Sequence, residues 1–194
     1  MTKTADQIYD EWLVLEVRSG DMDAVSALVK RWQPAALSYA RLVTREEELA
    51  AEAVQESWIA GIRAIHKLQD HARFRAWFYK IIHNQCMDAL RKDHKQLKIN
   101  AAQRQDIDPM QASENMDALE QSELINHVLA KMPENQRVIL TLFYLSELEV
   151  DEIAALLNLP SGTVKSRLHT AREAFRKLSV PSEPPIHPQK NLLP

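Results

Sequence analysis

Apolar residues along this chain return every three or four positions and almost nowhere every two. Helical periodicity runs through residues 5–18, 21–43, 46–66, 72–95, 118–131, 134–146, 149–157 and 161–178. The clearest stripe is Phe74, Trp77, Phe78, Ile81, Ile82, Gln85, Ala89 and Leu90, with Gln85 as its one polar member. That spacing predicts a helix with one buried face, and it makes Phe74, Trp77 and Phe78 core residues. Trp58 also reads as packing, whereas Tyr79 falls off the stripe and is a candidate for contact with a ligand. Asp21 can cap one helix start, and Pro133 can occupy the first turn of another. With β-branched alternation nearly absent, the expected fold class is all-α.

Between residues 96 and 117 the stripe disappears into a polar, acidic segment. This predicts a flexible linker between two small helical domains, residues 1–95 and 118–180. Residues 181–194 hold five prolines in 14 positions and are expected to be extended or disordered. A length of 194 residues accommodates two such domains.

Composition narrows the chemistry. Three glycines are too few for a Gly-rich phosphate cradle, and the lone Cys86 excludes an internal disulfide framework or a four-cysteine zinc site. Cys86 lies by the apolar stripe and reads as a buried structural thiol. His66 and His71 are five apart, and His83 with Cys86 makes an isolated pair, short of the usual three or four metal ligands. No catalytic signature is evident, so neither an enzyme nor a cofactor is expected. No apolar run approaches the roughly 18–20 residues that span a bilayer. The first residues lack an apolar signal core, which points to the cytoplasm.

The net charge of −3 conceals segregation. Residues 1–60 carry 6 Lys/Arg against 11 Asp/Glu, and residues 61–98 carry 9 against 3. Residues 105–125 carry none against 6, and residues 160–177 carry 5 against 1. Two basic blocks separated by acid make two candidate electrostatic footprints for phosphate, or two solvated helix faces.

The second basic block decides between these. Ile153, Ala154 and Leu157 give a short helix an inward face that stops at Asn158-Leu159-Pro160, where asparagine tolerates a left-handed turn and proline bars continuation. Ser161 is a plausible N-cap for the helix that follows. Helix, turn and helix form the arrangement whose second helix enters the major groove of DNA. In that helix Val164, Leu168, Ala171, Phe175 and Leu178 recur at core spacing, which leaves Ser166 and His169 opposite, flanked by Thr163, Lys165 and Thr170. These are suited to base edges, while Arg167, Arg172, Arg176 and Lys177 are better placed for phosphates.

At this point a family resemblance appears. Pro133-Glu134-Asn135-Gln136-Arg137, Phe143-Tyr144-Leu145, Glu152-Ile153-Ala154 and Gly162 through Leu168 resemble region 4 of bacterial sigma factors, closest to the extracytoplasmic-function class. The chain departs from that family at Glu147 and Asn158, where glycine is common, and at Glu149, where a capping serine is common. Glu52-Ala53-Val54-Gln55-Glu56-Ser57-Trp58 resembles the region 2 helix that meets the polymerase β′ clamp. Phe74 through Asn84 and on to Arg91 is similar to the family's −10-element helix.

The resemblance implies core RNA polymerase (β′ clamp and β flap), promoter DNA and an anti-sigma factor as partners. It assigns core binding to Glu52, Gln55 and Glu56. It implies capture of a flipped −10 base by the loop Leu68–Arg73, through Gln69, Asp70, His71 and Arg73, with Arg75, Tyr79, Lys80 and Arg91 alongside. It implies −35 recognition by Ser161, Thr163, Lys165, Ser166, Arg167, His169, Thr170, Arg172 and Arg176. A free-standing helix-turn-helix regulator remains the alternative.

Overall fold

The computed structural model describes residues 4–103 and 121–179. Most of the expected linker and the proline-rich tail therefore lie outside the described residues. Among those described, every regular element is helical.

The N-terminal half begins with α1 (Ala5–Ser19), opened by a reciprocal cap in which the Thr4 hydroxyl accepts from the Gln7 N–H at 3.2 Å. Gly20 closes it at φ 95°, a left-handed turn that glycine adopts without strain. The Asp21 carboxylate then caps α2 (Met22–Thr44), accepting from the Asp23 N–H at 2.8 Å. Next come α3 (Glu47–Ala64), two 3₁₀ turns at Ile65–Lys67 and His71–Arg73, and the long α4 (Phe74–Gln103). Helix α4 lies against both α2 and α3. The two helices approach closely at Gly61, where an added Cβ would stand 3.4 Å from the Phe78 ring, in van der Waals contact. Trp58 packs on Phe78 with ring centroids 4.2 Å apart and donates its indole N–H to Gln33 at 2.6 Å.

Because α4 packs on α2 and α3 and also receives α7, its buried arc is wider than one stripe. Phe78, Ile82 and Cys86 face the core, and burial pushes the Cys86 thiol up to about 12. Tyr79 is also buried, edge-on to Tyr39 at 5.2 Å and to Trp32 at 6.3 Å. The expectation that Tyr79 stands free for contact is therefore corrected. Next to it the Tyr39 hydroxyl meets His83 Nδ1 at 2.9 Å, and burial holds the His83 pKa below its ordinary value.

The C-terminal half comprises α5 (Gln121–Ala130), α6 (Glu134–Leu140), α7 (Val150–Leu157) and α8 (Ser161–Ser179). Helix α6 runs on into one π turn, Thr141–Leu145, closed by the Ser146 N–H on the Thr141 carbonyl at 2.9 Å. Ile153, Ala154 and Leu156 fill the core from α7, with Leu157 only half-buried. Val164, Leu168 and Ala171 do so from α8. Leu178, expected in that stripe, is exposed, since it lies seven residues beyond the last fully buried contact at Ala171.

Among the described residues, two contacts between the halves stand out. At one, the buried Arg137 guanidinium donates to the Leu42 and Met132 carbonyls, and Arg45 donates to the same Met132 oxygen at 2.9 Å. Burial and the nearby Arg45 charge lower the Arg137 pKa to about 10, so the cation persists at neutral pH. At the other, α7 and the loop before it lie against α4.

Candidate nucleic-acid interface

Helix α8 presents its polar side much as its periodicity requires. Lys165, Ser166, His169, Thr170, Arg172 and Arg176 are exposed, while Thr163 and Arg167 are half-buried. Two hydroxyls bond back to their own helix, Ser166 Oγ to the Thr163 carbonyl at 3.0 Å and Thr170 Oγ1 to that of Ser166 at 3.2 Å. Ser161 does not cap the helix: it is the first helical residue, and its hydroxyl donates to the Asp151 carboxylate at 2.6 Å. This contact pins the turn between α7 and α8 and makes Ser161 a positioning residue. Asn158 takes the left-handed conformation that the turn needs, at φ 53°.

Arg172 has a seat that periodicity does not reveal. Its guanidinium lies 5.3 Å from the Phe143 ring centroid and 5.5 Å from that of Tyr144. The π turn inserts one extra residue, so two consecutive aromatics can both face α8. The negative ring faces hold a cation whose helix neighbours at positions 165 and 176 are also cationic.

The basic face of α4 is in a different state. Arg75 lies over the Trp32 ring at 5.7 Å and pairs with Glu147 of the C-terminal half at 2.7 Å. The Lys80 ammonium donates to the Ala155 carbonyl on α7 at 3.4 Å. In the loop ahead of α4, Asp70 accepts from the Ala72 N–H at 3.1 Å and pairs with Arg73 at 3.3 Å. Arg18 of α1 meets the His71 imidazole and donates to the Leu68 carbonyl at 3.3 Å. Gln69 is exposed, and Arg91 is exposed but paired with Asp88. The loop is thus pre-shaped by its own contacts, with Gln69 its most open amide.

On α3, Glu52, Gln55 and Glu56 are all exposed. Ile59 and Ile62 share that outer side, each 37% exposed, and make it apolar as well as acidic. They lie off the buried Ala53–Val54–Ser57–Trp58–Gly61 set, so the helical periodicity of α3 already places them outward.

Comparison with known proteins agrees with this arrangement. The family model for Sigma-70 region 2 matches residues 28–96, and that for Sigma-70 region 4 matches residues 122–175. The ECF RNA polymerase sigma factor SigW of Bacillus subtilis is 28% identical over 174 residues, covering 84% of this chain and 93% of that protein. The ECF RNA polymerase sigma-E factor of Haemophilus influenzae is 29% identical over 188 residues, covering 91% and 98%. This chain belongs to the sigma-70 family, in its extracytoplasmic-function class. It is a sigma factor, and it directs transcription initiation.

Two solved structures share the fold of this sigma factor. One is CnrH in complex with the cytosolic domain of CnrY, with TM-score 0.60, 24% identity, and 88% of this chain and 96% of that one covered. The other is the sigma factor RpoE of Bartonella quintana in complex with the anti-sigma factor NepR, with TM-score 0.65, 18% identity, and coverage of 79% and 94%.

Glu147 and Asn158, the two positions at which the family resemblance leads one to expect glycine, both have positive φ, 50° and 53°. Asparagine tolerates that conformation, whereas glutamate carries a strain of roughly 1 kcal/mol. Glu149 still begins α7, its N–H donating to the Glu152 carboxylate at 2.9 Å.

Proposed function

We propose that this sigma factor binds core RNA polymerase through the outer side of α3 and reads two promoter elements through its two halves. Glu52, Gln55 and Glu56, with Ile59 and Ile62, make the polymerase contact, an acidic rim around an apolar centre. On α8, Lys165, Ser166 and His169 reach base edges in the −35 major groove, while Arg172 and Arg176 anchor phosphates. Gln69 and its loop, with Arg75, Lys80 and Arg91, take the unpaired −10 strand, and Tyr79 supports that surface from beneath. The polymerase supplies the nucleotidyl chemistry, in the cytoplasm. A protein inhibitor of the anti-sigma kind is a further partner, as in the complex of the Bartonella quintana factor with NepR. The observation that carries this reading is the exposed basic face of α8 over its buried stripe, in a chain that also matches region 2.

The experiment is reconstitution with core polymerase and transcription from a randomised promoter library. A stoichiometric complex should form and select paired −35 and −10 sequences. Glu56→Lys should weaken core binding about tenfold with folding intact. No complex with core polymerase, or duplex binding as a dimer without it, would replace this reading with the free-standing regulator.

A further inference from the structure

Helix α1 is apolar on two sides. Leu13, Val14 and Val17 face the core, while Ile8, Trp12 and Leu15 recur at i, i+4 and i+7 on the opposite side, 56%, 49% and 49% exposed. Tyr9, 45% exposed, stacks on Trp12 with ring centroids 5.6 Å apart and 24° between their planes. Arg31 lies over the Tyr9 ring at 5.4 Å and is pinned by Asp6 at 2.7 Å and Asp10 at 2.6 Å, so the aromatic pair is held in place before any partner arrives. Glu16 follows Trp12 by one turn on the same side. Along its length α1 carries four carboxylates, Asp6, Asp10, Glu11 and Glu16, against Arg18. That excess repels phosphate, and it sets acid against acid if two copies of α1 meet. The face therefore fits an apolar, extended partner that brings a cation.

The C-terminal tail has that chemistry. Pro185-Ile186-His187-Pro188-Gln189-Lys190 spaces two prolines by three residues, one turn of polyproline II, so both fall on one edge with Lys190 just beyond. Proline ridges of this kind seat on exposed aromatic rings. We infer that the proline-rich tail, residues 181–194, docks across the outer face of α1 in its own chain, with Pro185 and Pro188 on Tyr9 and Trp12 and Lys190 beside Glu16. Its origin and length allow this. Ser161, at the start of α8, is tied to Asp151 of α7, and Glu149 and Glu152 at the start of α7 share a cleft with Gln7, Asp10 and Glu11 of α1. Helix α8 then runs about 28 Å to Ser179. The eleven residues from there to Lys190 span about 34 Å as polyproline II, enough to return along it.

The test puts the photo-crosslinker p-benzoylphenylalanine in place of the exposed Leu15 in the full chain, irradiates it in dilute solution, and maps the links by mass spectrometry. Links within one molecule, from position 15 into residues 181–194, are the expected result. Links only to other parts of the chain, or only between two copies, overturn the docking. Pro185→Ala with Pro188→Ala should cut the tail links about two- to fivefold without touching the folded helices. Glu16→Lys should do the same, the change that one exposed ion pair supports, and Glu16→Lys combined with Lys190→Glu should restore them. Links unchanged by the proline pair and by Glu16→Lys overturn the contacts assigned here. A single-stranded DNA pool of random sequence should leave the links intact. Their loss on its addition would give the face to nucleic acid instead and overturn the proposal.

Discussion

On α8, Lys165, Ser166, His169 and Arg172 stand open to solvent, and Arg172 rests against a pair of aromatic rings. On α4, Arg75 and Lys80 are held by the opposite half of the same chain. Both helices are basic, amphipathic and suited to nucleic acid, yet only one is presented. The difference lies outside either helix. Helix α8 packs its apolar stripe against α5, α6 and α7, and among the described residues its polar side stays exposed. Helix α4 packs against α2 and α3 within its own half, and its remaining side then receives α7. Composition makes a surface attractive to phosphate, but tertiary contacts decide whether phosphate can reach it.

The largest expected effect comes from breaking the deeper of the two contacts between halves. Arg137→Ala removes a buried cation that satisfies the Leu42 and Met132 carbonyls, and should destabilise the chain by about 3 kcal/mol. Denaturant unfolding measures it, and a loss below about 1 kcal/mol would mean that water replaces the guanidinium without penalty.

A smaller effect tests the open side. Tyr144→Leu unseats Arg172 and should weaken holoenzyme binding about two- to fivefold on all −35 sequences alike, the worth of a partly exposed cation–π contact. Tyr144→Phe keeps the ring and should bind as wild type. Lys165→Ala should instead relax discrimination at one base position. A change of base preference in Tyr144→Leu would make Arg172 a base reader rather than a phosphate anchor.

Much of this was legible in the residues themselves. The order of helices, the Val164–Leu168–Ala171 stripe, the Asp21 cap and the left-handed Asn158 all follow from periodicity and turn chemistry. Those signals report what one segment requires of its own neighbours. Tyr79 falls outside the single stripe because a helix packed on α2, α3 and α7 buries a wider arc than one stripe shows. Ser161 was misplaced because an acceptor ten residues back, Asp151, competes for its hydroxyl. The Arg172 seat depends on a π turn that no spacing announces. The Arg75–Glu147 pair joins residues 72 apart, a separation that local periodicity does not report.

Whether the halves must part for initiation can be tested by tethering them. Asn84 lies on α4 one turn beyond Lys80, Ala155 is exposed on α7, and both can be replaced by cysteine and joined with a flexible bis-maleimide. The native Cys86, buried with its thiol pushed up to about 12, should not compete for the reagent. With core polymerase and a promoter from the library selection, the tethered chain should lose specific initiation at least tenfold, while the same variant capped with single-headed maleimide initiates normally. Equal initiation from tethered and capped chains would contradict the proposal that α4 takes the −10 strand, since in the joined chain Arg75 and Lys80 stay held by the other half.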